Sequence, residues 1–141
     1  MSTGNGTSGN LGFSVLISTG MDESIALTKA ALAAEGFGVL STIDVAETLK
    51  QKLGAELEPY VILGACNPGL AKRAIEAEHE IGLLLPCNVL VHQHDDGTVV
   101  SFVSPRAMLA SVGENGPLQS VADEAEAALK RAAQTLKSQA E

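Results

Sequence analysis

The two cysteines, Cys66 and Cys87, are the most reactive side chains in the sequence, and each stands at a distinctive place. Cys66 closes the apolar run Tyr60-Val61-Ile62-Leu63-Gly64-Ala65-Cys66 and directly precedes Asn67-Pro68, an N-cap residue and first-turn proline that together start a helix. A thiol at a helix N-terminus meets unpaired backbone N–H groups and the positive end of the helix dipole, both of which favour the thiolate. Cys87 lies in Leu85-Pro86-Cys87-Asn88, so both cysteines sit in a Cys-Asn pair beside a proline. Candidate ligand-binding residues are therefore Cys66, Asn67, Pro68, Pro86, Cys87 and Asn88. The asparagine amides would donate or accept hydrogen bonds, the prolines would hold the turns, and the helix N-terminus would favour a small anionic molecule. Cys66 and Cys87 are also the catalytic candidates, as a low-pKa redox thiol or nucleophile and its resolving partner. Against both uses stands the plain one, in which each thiol is a small buried hydrophobe. Their 21-residue separation matches neither C-x-x-C redox spacing nor C-x-x-C-H haem attachment.

His92 and His94 are two apart in a strand-like segment, so both side chains share one face, and with Asp95 or Asp96 they form a candidate site for a first-row metal. Such a site needs a further ligand, from His79 or a cysteine. The alternative is a solvated face beside a hairpin turn. Glu76, Glu78 and Glu80 flank His79 as an acidic patch, and nothing places two of them in a shared apolar pocket suited to acid–base work. No G-x-S-x-G elbow is present. Gly4, Gly6 and Gly9 spell G-x-G-x-x-G, but no strand precedes them and a strand rather than a helix follows, so the dinucleotide fingerprint lacks its context. No cofactor is specified.

The scaffold that must position these residues reads as alternating strands and helices. Gly12 to Ser18 form a first strand, and a helix capped by Asp22 or Thr19 follows, with Ile25, Leu27, Ala30, Ala31, Leu32 and Ala34 mostly at helical spacing and Gly36 as its stop. After a strand over Gly38 to Ile43, Asp44 and Glu47 make a capping box for a short helix ending at Gly54. The run ending at Cys66 has the continuous apolar character of a strand buried on both faces. Helix Asn67 to Glu78 follows, then a hairpin of Asn88 to His94 and Thr98 to Val103 about the Asp95-Asp96-Gly97 turn. Pro105 opens a helical turn through Leu109. In the last helix Leu118, Val121, Ala125, Leu129, Ala132 and Leu136 form an apolar stripe, with Glu124, Glu126, Lys130 and Arg131 outside it. The order β-α-β-α-β-α-β-β-α-α predicts an α+β domain with a mixed five-stranded sheet packed with helices.

At 141 residues, one domain over 11–141 is expected, preceded by a disordered Gly/Ser/Thr/Asn-rich arm over 1–10. Nine basic residues against 17 acidic ones give a net charge of −8, which repels phosphate backbones and anionic lipid, so nucleic acid and membrane surfaces are not expected partners. Aromatic residues are 3% of the chain, too few for base-stacking platforms. The chain shows no export signal and no apolar run of about 18 residues, and its few cysteines suit a reducing cytoplasm.

Three blocks, Glu35-Gly36-Phe37-Gly38-Val39-Leu40, Ile62-Leu63-Gly64-Ala65-Cys66-Asn67-Pro68 and Ile81-Gly82-Leu83-Leu84-Leu85-Pro86-Cys87-Asn88-Val89, together make the chain resemble the prokaryotic family known as domain of unknown function 302. The resemblance runs from about Met21 to Leu136. It implies a compact α+β domain, often a homodimer, whose signature is the Gly-Ala-Cys-Asn-Pro and Leu-Pro-Cys-Asn blocks, and it brings no established activity. His92 and His94 stand where such proteins commonly carry an aromatic or acidic residue, so any role for them is particular to this chain. The resulting expectation is a small cytoplasmic ligand-binding domain, homodimeric, with its crevice at the two Cys-Asn blocks. A thiol-redox or thiol-nucleophile enzyme and a protein-interaction or structural module are the alternatives.

Overall fold

Burial alternates along the strands, with Phe13, Val15 and Ile17 of one and Val61, Leu63 and Ala65 of another turned inward, and this alternation fixes which side of the sheet the helices cover. The computed structural model describes residues 7–8, 11–95 and 97–139. Along it run β1 (Thr7–Ser8), β2 (Gly12–Ile17), α1 (Met21–Ala34), β3 (Gly38–Asp44), α2 (Val45–Leu53), β4 (Tyr60–Cys66) and α3 (Pro68–Ala77). A 3-10 helix (His79–Leu84), β5 (Cys87–His94), β6 (Gly97–Val103), α4 (Pro105–Leu109), a 3-10 turn (Ala110–Val112) and α5 (Gly116–Gln139) complete it. The expected arm over 1–10 and the Gly4, Gly6, Gly9 pattern lie outside the described residues, except for Thr7–Ser8, which pair with Ser14 and Phe13. Asp96 of the expected turn also lies outside them.

The architecture is α+β, and the five long strands stand in the order β2-β6-β5-β4-β3 with β1 added beside β2. Every neighbouring pair is antiparallel, which corrects the mixed sheet expected from the helix-linked strands. The reason is local. Helices α2 and α3 each return the chain to the sheet end it has just left, so β3–β4 and β4–β5 pair as neighbours running in opposite directions. Only the α1 crossover carries the chain along the sheet, from β2 to β3 at the far edge. No described helix is long and apolar enough to cross a membrane.

The core lies on one side of the sheet. Phe13 and Phe102 stack with ring centroids 5.6 Å apart, and Val15, Val61, Leu63, Val89, Val91 and Val100 pack with them against α1 and α5. All six residues of the expected α5 stripe are buried. A second cluster joins Ala74 of α3, Ile81 of the 3-10 helix and Leu109 of α4 to Leu118, Val121 and Ala122 of α5. Helix α1 departs from expectation: Gly20 is its N-cap with no side-chain cap, and Ser24 and Thr28 are as fully buried as Leu32. Hydroxyls make this tolerable. Thr28 Oγ1 donates to Ser24 O at 2.7 Å, Ser24 Oγ lies 2.7 Å from Thr19 Oγ1, and Thr98 Oγ1 donates to Thr19 O at 2.7 Å.

Candidate functional site

Antiparallel pairing explains how two cysteines far apart in sequence meet. β4 ends at Cys66, α3 and the 3-10 helix turn over that same end of the sheet, and β5 begins there with Cys87 opposite Ala65. Where this end meets the helices there is a cavity of about 40 Å³, bordered by both cysteines with Phe37, Leu70, Met108 and Val121 among its apolar walls. It lies on the seam between the two hydrophobic clusters: Phe37, Ala65 and Ala125 come from the larger, Ile81, Leu109 and Val121 from the smaller. The volume exceeds what one water needs, but the walls offer few of the polar partners a buried water requires.

Cys87 is 7% exposed, and burial, followed by the nearby Cys66 charge, pushes its thiol up to about 11. At neutral pH it stays protonated and a poor nucleophile. Both cysteines are free and both border the cavity, although the register sets Ala65 rather than Cys66 directly opposite Cys87.

Asn67 is committed to the fold. Its Oδ1 accepts from Leu70 N at 3.2 Å, capping α3 ahead of Pro68, and its Nδ2 donates to Glu35 O at 3.5 Å. The donation holds the end of α1, where Gly36 has φ +85° and a β-carbon would come within 2.9 Å of Asn67 Nδ2. Pro86, joined to Leu85 by a cis peptide bond, lays its ring on the bare backbone of Gly64, where a β-carbon would meet Pro86 Cγ at 3.0 Å and also strike the Ser41 hydroxyl. Asn88 pairs with Gly64 and is exposed. Around the N-terminus of α3 the charges cancel: Arg73 holds Glu124 at 2.7 Å, and Arg131 holds Glu35 at 2.8 Å.

His92 and His94 share a face as their spacing implies, but at the far end of β5. Five strand steps, roughly 17 Å, separate His92 from Cys87, which puts that thiol out of reach of a metal held there. Among the described residues no three His, Cys, Asp or Glu side chains gather to hold a metal. His92 lies beside Tyr60, ring centroids 5.8 Å apart, and its pKa is lowered by burial first and by the charge of His94, against a backbone hydrogen bond with Gln93.

One residue was placed wrongly by periodicity. Glu126, expected on the solvent side of α5, is 6% exposed, and its Oε1 accepts from Ser104 Oγ at 2.8 Å and Arg106 N at 3.2 Å. It sits one turn after Ala122 and two turns before Ala133, both buried, so the covered face of α5 is wider than the stripe and reaches α4. The signal available in the sequence was Ser104-Pro105, an N-cap pair whose helix start attracts a carboxylate.

Comparison with known proteins fits this architecture. No curated protein matches the chain. A solved structure described as an uncharacterized conserved protein DUF302 from Bacillus stearothermophilus is 32% identical, with a TM-score of 0.82 over 89% of this chain and 97% of that one. The profile of the domain of unknown function DUF302 matches residues 13–136, and the chain belongs to that family.

Proposed function

We propose that this chain is a small binding domain whose cavity beside Cys66 and Cys87 receives a compact apolar group. The observation that carries the reading is the cavity itself, a space of about 40 Å³ with predominantly apolar walls at the seam of two packed clusters. Close-packed interiors leave few such spaces, and apolar ones stay dry and accept small apolar guests. In this reading Cys87 contributes as a neutral, polarisable wall atom, Pro86 shapes the rim, and Asn67 and Pro68 hold α3 in place. An anionic group at α3 is the weaker form of the proposal, because Asn67 already occupies Leu70 N and both nearby arginines are paired. The test is a titration of methyl-labelled protein with the alcohols ethanol through hexanol, read by NMR. Saturable shifts at Ala65, Leu70, Met108 and Val121 are expected; shifts that never saturate, or that centre on other methyls, overturn the reading.

The thiol-enzyme alternative uses the same residues and is separated by site-resolved alkylation. Rapid reaction of Cys66 well below pH 7, with reversible formation of a Cys66–Cys87 bond, would put it ahead. We further propose that the domain acts as a homodimer in a reducing, cytoplasmic setting. Support comes from the outer edge of the sheet, where no residue of α2 is buried and Leu40, Ile43, Leu53 and Leu57 are exposed. Sedimentation should give twice the chain mass, falling to one chain in a Leu53→Glu, Ile43→Lys variant; a monomeric parent refutes it.

A further inference from the structure

The segment between β6 and α5, residues 104–115, passes over the cavity, and its Pro105, Met108 and Leu109 form part of the wall. Its polar attachments to the rest of the fold lie at its ends, while Met108, Leu109 and Val112 between them pack into the smaller cluster. At the front, Ser104 N donates to Leu11 O at 2.8 Å, and the buried Glu126 carboxylate accepts from both Ser104 Oγ and Arg106 N. Outside this pair, Arg106 Nε reaches Asp123 Oδ1 at 2.7 Å, a contact worth little on its own because both groups are exposed. At the back, Asn115 Nδ2 donates to Ala77 O at 3.2 Å and Asn115 Oδ1 caps α5 at Leu118 N. Between these anchors Gly113 takes φ +88°, a conformation glycine adopts without strain.

We propose that residues 104–115 are a flap over the cavity and that Glu126 is its latch. This rests on the cavity being the binding site, but the latch itself is a property of the empty protein. From within, the carboxylate ties the α4 N-terminus to α5 through Ser104 Oγ, at the hinge that Leu11 O also holds, and through Arg106 N, which moves with the flap, while its other oxygen lies 3.7 Å from Lys130 Nζ on the same helix. Leu109 and Met108 then close the smaller cluster over Ile81 and Val121. Releasing the latch swings these two side chains away and exposes the buried Cys87 thiol without unfolding the sheet behind it.

The test measures the labelling rate of Cys87 by a small maleimide in ligand-free protein, with amide exchange over 104–112 read alongside and global stability measured by urea. Glu126→Ala removes both acceptor bonds and should raise Cys87 labelling and exchange in the flap about 10- to 100-fold, with exchange in β4, β5 and the second half of α5 unchanged. Glu126→Gln keeps an acceptor oxygen and should stay close to the parent. Should Glu126→Ala fail to fold, Ser104→Ala, which removes one of the two latch bonds together with the α4 cap at Ala107 N, should give a rise of several-fold on its own. Labelling that is unchanged, or that rises only in step with global unfolding, overturns the latch. Because no ligand is added, a silent alcohol titration with a working latch would sink the binding reading alone, and the reverse would sink the latch alone.

Discussion

Raising the pH should destabilise this protein through Cys87 in a way that can be worked out in advance. The thiol, at 9.0 in its ordinary state, is pushed up to about 11 by burial in the fold. The unfolded chain therefore releases this proton first, so the stabilising contribution is fully present below pH 9 and is lost as pH rises towards 11. With one pH unit equal to about 1.4 kcal/mol, the loss is about 1.4 kcal/mol at pH 10 and about 2 kcal/mol at pH 11. Urea unfolding of the parent and of Cys87→Ala at pH 8, 9, 10 and 11 isolates the effect, because tyrosine and lysine titrations are common to both proteins. Cys87→Ala should be less stable at pH 8 through lost packing, and the gap should close by about 2 kcal/mol at pH 11. A gap that stays constant or widens with pH would mean that Cys87 ionises freely in the native state, and the account of a neutral, buried thiol would fail.

Asn67→Ala should cost about 1 to 2 kcal/mol in urea unfolding through the lost α3 cap and the lost tie to Glu35, while Asn67→Asp keeps the cap and loses less. Unchanged stability with abolished alcohol binding would instead make Asn67 a ligand group. Gly36→Ala should cost about 1 kcal/mol or more, since it meets both an unfavourable φ and the Asn67 amide; a neutral result would show that the α1–α3 junction yields. For His92, whose pKa is lowered in the fold, stability should be present above the ordinary value of 6.5 and fall as pH drops through the lower native one. His92→Gln should flatten the pH dependence between 7 and 5, and an unaltered slope would remove His92 from the account.

Much of the scaffold was written locally. Asn67-Pro68 and Asp44 with Glu47 cap helices as their types require, and the six-residue stripe of α5 faces the core. What stayed hidden depends on partners distant in sequence. Nothing around α2 or α3 says whether a helix crosses the sheet or turns back on one end, so the antiparallel order, and with it the meeting of Cys66 and Cys87, was not readable from either block. The burial of Ser24 and Thr28 carries no local signal, since the hydroxyls that make it tolerable include Thr19 and Thr98 from outside the helix. Glu126 looked like a surface charge because its partners, Ser104 and Arg106, arrive from another helix. The candidate site was thus legible as two sequence blocks and illegible as a cavity, whose walls come from β4, β5, α3, α4 and α5 together.

The most direct measurement is a crystal of the protein pressurised with xenon, which reports an accessible apolar cavity without any assumption about the natural ligand. The account predicts xenon density between Leu70, Met108 and Val121, beside Cys87, with Glu126→Ala reaching occupancy at lower pressure than the parent. An ordered water in that space, or xenon found only elsewhere, would contradict the claim that this seam is an apolar binding site.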